Sequence, residues 1–127
     1  NLEQMMVGVV GGKPSLCEFS GHCWLCPKVE FDGSVGPCDS LSRQNYRFGN
    51  IADSTWEELF QSKRFFQFLS DLERSESTCG DCEWLKSCHN RCSRYCSPGR
   101  NGTWPRNIFC DAKKEIFRKL KDATIDV

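Results

Sequence analysis

Cys79-Gly-Asp-Cys82-Glu-Trp-Leu-Lys-Ser-Cys88-His-Asn-Arg-Cys92 sets four thiols within fourteen positions of a chain that holds ten cysteines in 127 residues. Only 39% of the chain is hydrophobic, against roughly 45–50% in ordinary soluble domains. A core that small, in a chain of single-domain length, calls for covalent or metallic support. Three chemistries offer it. A disulfide framework is permitted by the even cysteine count but requires an oxidising compartment. Zinc takes Cys-x2-Cys knuckles, and Cys23/Cys26 and Cys79/Cys82 supply two. Iron–sulfur clusters take four thiolates each. The quoted run favours the third. Its first three thiols can surround one cubane, while Cys88 and Cys92, four apart, would project to one side of a helical turn. Crowding then leaves Cys92 for a second centre, as the fourth cysteine of the bacterial ferredoxin run serves the other cluster. A zinc knuckle would prefer a second Cys-x2-Cys. Spacing alone ranks the three without eliminating any.

Upstream of the run, Leu2, Met5, Met6 and Val9 recur at helical spacing and predict an amphipathic helix from Leu2 to Val10. A chain opening inside such an element without Met suggests a fragment or processed product. Gly11-Gly12-Lys13-Pro14 breaks the helix and leads into a loop carrying Cys17, Cys23 and Cys26. Val29-Glu-Phe-Asp32-Gly33-Ser-Val35 reads as a small hairpin, with Asp-Gly suited to a type I′ turn. Cys38 and Asp39 stand at its far end. Leu41 to Asn50 reads as polar and irregular. Ser54-Thr-Trp-Glu57 fits a capping box opening a short helix through Leu59 and Phe60. A second helix is expected from Ser62 to Leu72, with Phe65, Phe66, Phe68, Leu69 and Leu72 on its apolar face, followed by a polar link from Ser75 to Thr78.

Beyond the run, Ser97 to Pro105 is turn-rich, and its Asn101-Gly-Thr103 triplet matches a glycosylation sequon of no weight. A closing helix follows Cys110-Asp111, with Phe109, Ala112, Ile116, Phe117 and Leu120 inward. Lys113, Lys114, Arg118, Lys119 and Lys121 form a solvated face. The 17 basic and 17 acidic residues balance, which argues against a plain electrostatic nucleic-acid binder. The longest apolar stretch, Met5 to Val10, is far below the roughly 20 residues of a membrane span, and no basic segment precedes it as in a signal peptide. No nucleic-acid or membrane partner is expected.

Taken together, Cys17, Gly33 and Cys38, then Cys79-x2-Cys82-x5-Cys88-x3-Cys92, then Cys110, resemble the SPASM domain from about Pro14 to Leu120. That domain is the C-terminal auxiliary-cluster extension of many radical S-adenosylmethionine (SAM) enzymes. The likeness is greatest to the anaerobic sulfatase-maturating enzymes, through the Cys17/Cys23/Cys38 spacing, Pro37-Cys38-Asp39 and Gly49-Asn50-Ile51. His89-Asn90-Arg91 departs from the Gly-Gly these families often carry. Gly36 and Ser40-Leu41 depart around Cys38.

The resemblance implies a small cluster-stabilised α+β domain with a short hairpin and peripheral helices. Residues 1–13 would be the end of a preceding barrel helix or a linker, and residues 14–127 the SPASM-like domain. Cys17, Cys23, Cys38 and Cys92 would bind a first auxiliary 4Fe–4S cluster, and Cys79, Cys82, Cys88 and Cys110 a second. With four thiolates on each, their work would be electron transfer. Asp39 would be a general base for the substrate proton. The parent would be a cytoplasmic oxidoreductase modifying a peptide or protein side chain. Its SAM and third 4Fe–4S cluster would lie in a barrel of the same parent chain, and a ferredoxin or flavodoxin would exchange electrons with it. The chain shows no Cys-x3-Cys-x2-Cys and has no room for a barrel of roughly 200 residues, so alone it should be inactive. A stand-alone iron–sulfur electron carrier and a zinc-stabilised interaction module are the alternatives. His22 and His89 are expected near a cluster or at the surface, and Cys26 and Cys96 are left over. Arg91, Arg94, Lys86 and the Lys113/Lys114 pair are candidates to offset the negative charge of bound clusters.

Overall fold

Asp32 and Gly33 do build a hairpin, though not of the expected kind. Strand β1 (Lys28–Val29) pairs antiparallel with β2 (Ser34–Gly36), placing Val29 opposite Val35. The Gly33 N–H donates to the Glu30 carbonyl and the Glu30 N–H to the Ser34 carbonyl. Gly33 alone in the loop has positive φ, at 80°, whereas a type I′ turn needs it at both central residues. The result is a three-residue loop ending in a left-handed glycine. Asp32 contributes through its carboxylate instead, accepting from the Ser34 amide and hydroxyl at 3.0 and 2.6 Å. Those bonds hold its carboxyl below the usual range.

The computed structural model of the protein describes residues 1–41, 46–77, 79–90, 92–96 and 107–125, and their side chains except at 74–77 and 93. The described chain divides into two compact units, residues 24–71 and residues 1–23 with 72–127. Arg91, the polar position Thr78 and the loop with the Asn101–Thr103 triplet lie outside the described residues.

In the unit of residues 24–71, β3 (Gly49–Asn50) joins the hairpin to make an antiparallel sheet in the order β1-β2-β3. The sequence reading placed this segment in an irregular stretch, because two residues carry no periodicity. Helix α2 (Trp56–Phe60) is capped one position later than expected. Thr55 Oγ1 accepts from the Glu58 amide and Glu58 Oε2 accepts from the Thr55 amide. Thr55 and Glu58 preserve the three-residue offset that Ser54 and Glu57 also offered. Helix α3 (Lys63–Ser77) runs five residues beyond Leu72, through most of the expected link. Phe68 and Leu72 are buried, while Phe66 and Leu69 of the expected apolar face are exposed. The core of this unit is aromatic. Phe48 meets Phe60, Phe65 and Phe68 at ring separations of 6.1, 5.2 and 6.2 Å. Buried Asp71 accepts from Tyr46 Oη and Gln67 Nε2 at 2.7 and 2.8 Å.

The other unit is built on helices. Helix α1 (Leu2–Val9) buries Met5, although Leu2 points to solvent. Helix α4 (Leu85–Cys88) is a single turn, and α5 (Cys110–Ile125) closes the described chain. Met5, Phe19, Trp84 and Phe117 form the buried core, flanked by Val9, Cys82, Cys88, Ile116 and Leu120. Trp84 stacks on Phe117 at 5.5 Å, and Ser87 Oγ donates to the Gly8 carbonyl, tying α4 to α1. Of the residues expected inward on α5, Phe109 and Ala112 are exposed. Lys113, expected in solvent, is buried. No described helix is long and apolar enough to cross a membrane.

Candidate metal centre

Cys79, Cys82, Cys88 and Cys110 line one cavity, of about 350 Å³ including the space open to solvent. Short-range geometry puts the first three there. The Cys82 N–H donates to the Cys79 carbonyl at 3.0 Å, closing a turn, and the Leu85 N–H donates to the Cys82 carbonyl as the chain enters α4. One turn later Cys88 ends the helix. Cys110 arrives from far along the chain as the first residue of α5. Its N–H bonds to the Asn107 carbonyl, and Asn107 Oδ1 accepts from the Phe109 amide, fixing the approach.

Why α4 stops at Cys88 is written in the backbone. His89 and Asn90 have φ of 54° and 48°, the non-glycine residues of positive φ among those described. The Asn90 N–H turns back onto the Cys88 carbonyl at 2.6 Å around His89, a γ-turn of the rare hand. Left-handed backbone costs most L-residues about 1–2 kcal/mol each, less for Asn. The expected helical pairing of Cys88 with Cys92 is therefore broken: Cys92 lies beyond the turn, outside α4. Gly21 makes room for that turn. Its φ is 74°, and a Cβ there would come within 2.8 Å of His89 Nδ1.

Burial pushes the Cys79 thiol pKa up, opposed by a hydrogen bond from Asn90, with Cys110 and Cys82 raising it and Lys114 lowering it. Burial also raises Cys88, opposed by Lys113 and by the Asn90 backbone N–H. At Cys79 and Cys88, burial thus disfavours the thiolate while nearby cationic and N–H groups favour it. Lys113 and Lys114 line the cavity wall. Lys113 Nζ meets Glu18 Oε1 at 2.5 Å and lies 5.1 Å from the Phe19 ring centre. Lys86 and Arg94 are exposed, the latter over the Tyr95 ring.

Other expected residues stand elsewhere. Cys17, Cys23 and Cys92 belong to the helical unit and Cys38 to the sheet unit. Cys17 is exposed, and the other three are half-buried. Asp39 follows β2 in a turn, its side chain 82% exposed and its Oδ1 2.8 Å from Lys28 Nζ. Cys26 is exposed. Cys96 donates to the Cys92 carbonyl at 3.7 Å, and burial followed by the nearby Cys92 pushes its thiol up to about 11. His22 is exposed, and His89 borders the cavity. Among the described residues, no three His, Cys, Asp or Glu side chains converge on a point where one metal ion would sit.

The sequence reading gave no role to Trp84 or Asn90. Trp84 was legible as the one aromatic residue between Cys82 and Cys88. Asn90 was legible only as a residue tolerant of left-handed backbone at a helix end.

Residues 17–83 match the SPASM family, described as an iron–sulfur cluster-binding domain. The chain belongs to that family. This SPASM chain is 35% identical over 116 residues to a cysteine-type anaerobic sulfatase-maturating enzyme of Clostridium perfringens strain 13, covering 91% of this chain and 31% of that protein. A protein of the same description from Clostridium novyi strain NT is 35% identical over 112 residues, 87% and 30% of the two chains. The chain thus spans less than a third of the length of these relatives. It superposes on a solved structure of native anSMEcpe with bound AdoMet and Kp18Cys peptide at a TM-score of 0.70. That match has 28% identity and covers 99% of this chain and 36% of that one. Native anSMEcpe with bound AdoMet gives a TM-score of 0.71 at 29% identity, over 98% and 35% of the chains.

The cavity fits the group that the SPASM family binds. Four thiols line it, the number that an iron–sulfur cluster takes. Trp84, on its wall, has a buried indole Nε1–H with no acceptor among the described residues. A buried unpaired donor is costly, and cluster sulfur is an acceptor that would satisfy it.

Proposed function

We propose that this chain is the auxiliary-cluster domain of a radical SAM oxidoreductase that modifies a cysteine or serine side chain of a peptide or protein, in the manner of the sulfatase-maturating enzymes. The observation that carries the reading is the meeting of Cys79, Cys82, Cys88 and Cys110 at one cavity in a SPASM-family chain. These four would hold one 4Fe–4S cluster, and Cys17, Cys23, Cys38 and Cys92 a second. Residues 1–13 would lead out of the parent's barrel, where SAM and a third cluster would sit, and residues 14–127 would form the domain. A cluster bound by four thiolates supplies one-electron uptake and release, at a potential set by hydrogen bonds to sulfur, charge and solvent exposure.

The chain's own residues do the rest. Trp84, Leu85 and Phe117 give the cavity an apolar wall on one side, and Lys114, with Lys113 held by Glu18, would offset the charge of the sulfurs. Asp39 follows Cys38 directly and is open to solvent, with Lys28 steadying its carboxylate. There it would take the proton released as the substrate carbon is oxidised. The electron would leave through the two clusters to a ferredoxin or flavodoxin, in the cytoplasm.

Anaerobic reconstitution with iron and sulfide tests the reading. Two clusters on eight thiolates amount to about eight irons. Zinc bound without acid-labile sulfide would overturn it. Asp39→Asn in the holoenzyme should lower product formation at least about tenfold, within the usual range of acid–base contributions, and leave iron content unchanged.

A further inference from the structure

Asn90 sits where the backbone is least favourable to a side-chain-bearing residue, second in a pair of left-handed positions. It is nevertheless buried, with 5% of its surface exposed. Its side-chain Nδ2 lies 3.5 Å from Cys79 Sγ, and its backbone N–H donates to the Cys88 carbonyl at 2.6 Å. The side-chain amide therefore reaches a cavity sulfur, and it can do so because the γ-turn around His89 reverses the chain at the end of α4. Gly21, unable to carry a side chain without striking His89, keeps the turn's outer side clear. A helix stop by itself needs only glycine at this position. It does not need a buried amide aimed at sulfur.

We propose that Asn90 sets the reduction potential of the cluster in the cavity, its side-chain amide donating to Cys79 Sγ and stabilising the charge added on reduction. This rests on the cavity holding an iron–sulfur cluster, as argued above. When the cluster takes up one electron, negative charge spreads onto its sulfurs, and an N–H···S bond strengthens as the acceptor becomes more negative. In a buried site such a bond is felt more than in water. Asn90 thus favours the reduced state and raises the potential. It is a positioning residue: it touches the ligand sulfur, not the substrate.

The test is a dithionite titration of the anaerobically purified holoprotein, followed by electron paramagnetic resonance, in wild type, Asn90→Gly and Asn90→Asp. Asn90→Gly keeps the left-handed turn and removes the donor. At a fixed potential the reduced-to-oxidised ratio of one cluster should fall about tenfold, a shift of 59 mV for a one-electron couple, while the other clusters hold theirs. Asn90→Asp keeps the side-chain shape but sets a carboxylate against the sulfur, so the same cluster should fall further. A residue that only stops the helix would leave every potential in place in Asn90→Gly. That result, or an equal shift of all clusters, overturns the proposal. A wild-type holoprotein whose spectrum is untouched by Cys79→Ala and Cys82→Ala overturns the reading of the cavity itself, and this inference with it.

Discussion

The two units solve the same problem of a small core in different ways. Residues 24–71 bury Val35, Phe48, Leu59 and Phe68 and interlock Phe48 with three other phenylalanine rings. One of their buried carboxylates, Asp71, has both oxygens hydrogen-bonded. Among the described residues, the helical unit buries Met5, Phe19, Leu72, Trp84 and Phe117 and completes the layer with half-buried cysteines. Its cavity leaves a buried indole donor without an acceptor among the described residues. One unit is closed by its own side chains. The other keeps a cavity lined by four thiols, and on the proposed reading its stability would be tied to the cluster held there.

The strongest way to break this contrast is to remove one cavity thiol. Cys82→Ala should cut iron content from about eight to about four per chain. Hydrogen exchange in α1, α4 and α5 should become at least tenfold faster, while β1–β3 and α2 keep their rates. Equal loosening of both units would show that the cavity does not hold the helical one. Next in size are matched truncations. Phe68→Ala and Phe117→Ala each empty a fully buried ring site and should each cost about 3–5 kcal/mol. Only Phe117→Ala, which also removes the partner of Trp84, should lower iron retention, and metal analysis after gel filtration would read the difference.

Two smaller effects sharpen the comparison. Thr55→Ala removes the α2 cap and should cost about 1 kcal/mol, measured as a lower melting temperature with an unchanged cluster spectrum. In the helical unit, the Cys96 thiol is pushed up to about 11 from an ordinary 9.0. The fold favours the protonated thiol, so its contribution is full below about pH 9 and is lost as pH rises through about 11. Denaturant titrations of the metal-free protein at pH 8 and pH 11 should differ in that direction, and Cys96→Ser should reduce the dependence.

The parts read correctly from sequence are those fixed by neighbours. Asp32-Gly33 announced a hairpin, and the Cys79–Cys88 spacing announced thiols gathered at one cavity, because a turn and a single helical turn suffice to bring those residues together. What escaped depends on backbone angles or on distant partners. The two-residue β3 has no pattern of its own and exists because the hairpin offers it an edge. The capping box slid by one, since Ser54-Thr55 followed by Glu57-Glu58 offers the same geometry twice. Lys113 looked like surface because Glu18, its partner, is 95 positions away. Cys88 and Cys92 looked like helical neighbours because nothing local shows that His89 and Asn90 reverse the chain.

Cys110 opens α5, twenty-two positions after Cys88, and α5 packs against α1, more than a hundred positions before it. During synthesis, Cys79, Cys82 and Cys88 leave the ribosome together, but their fourth companion and the helix that seals them follow later. The four-thiol wall of the cavity can therefore be completed only once α5 has been made.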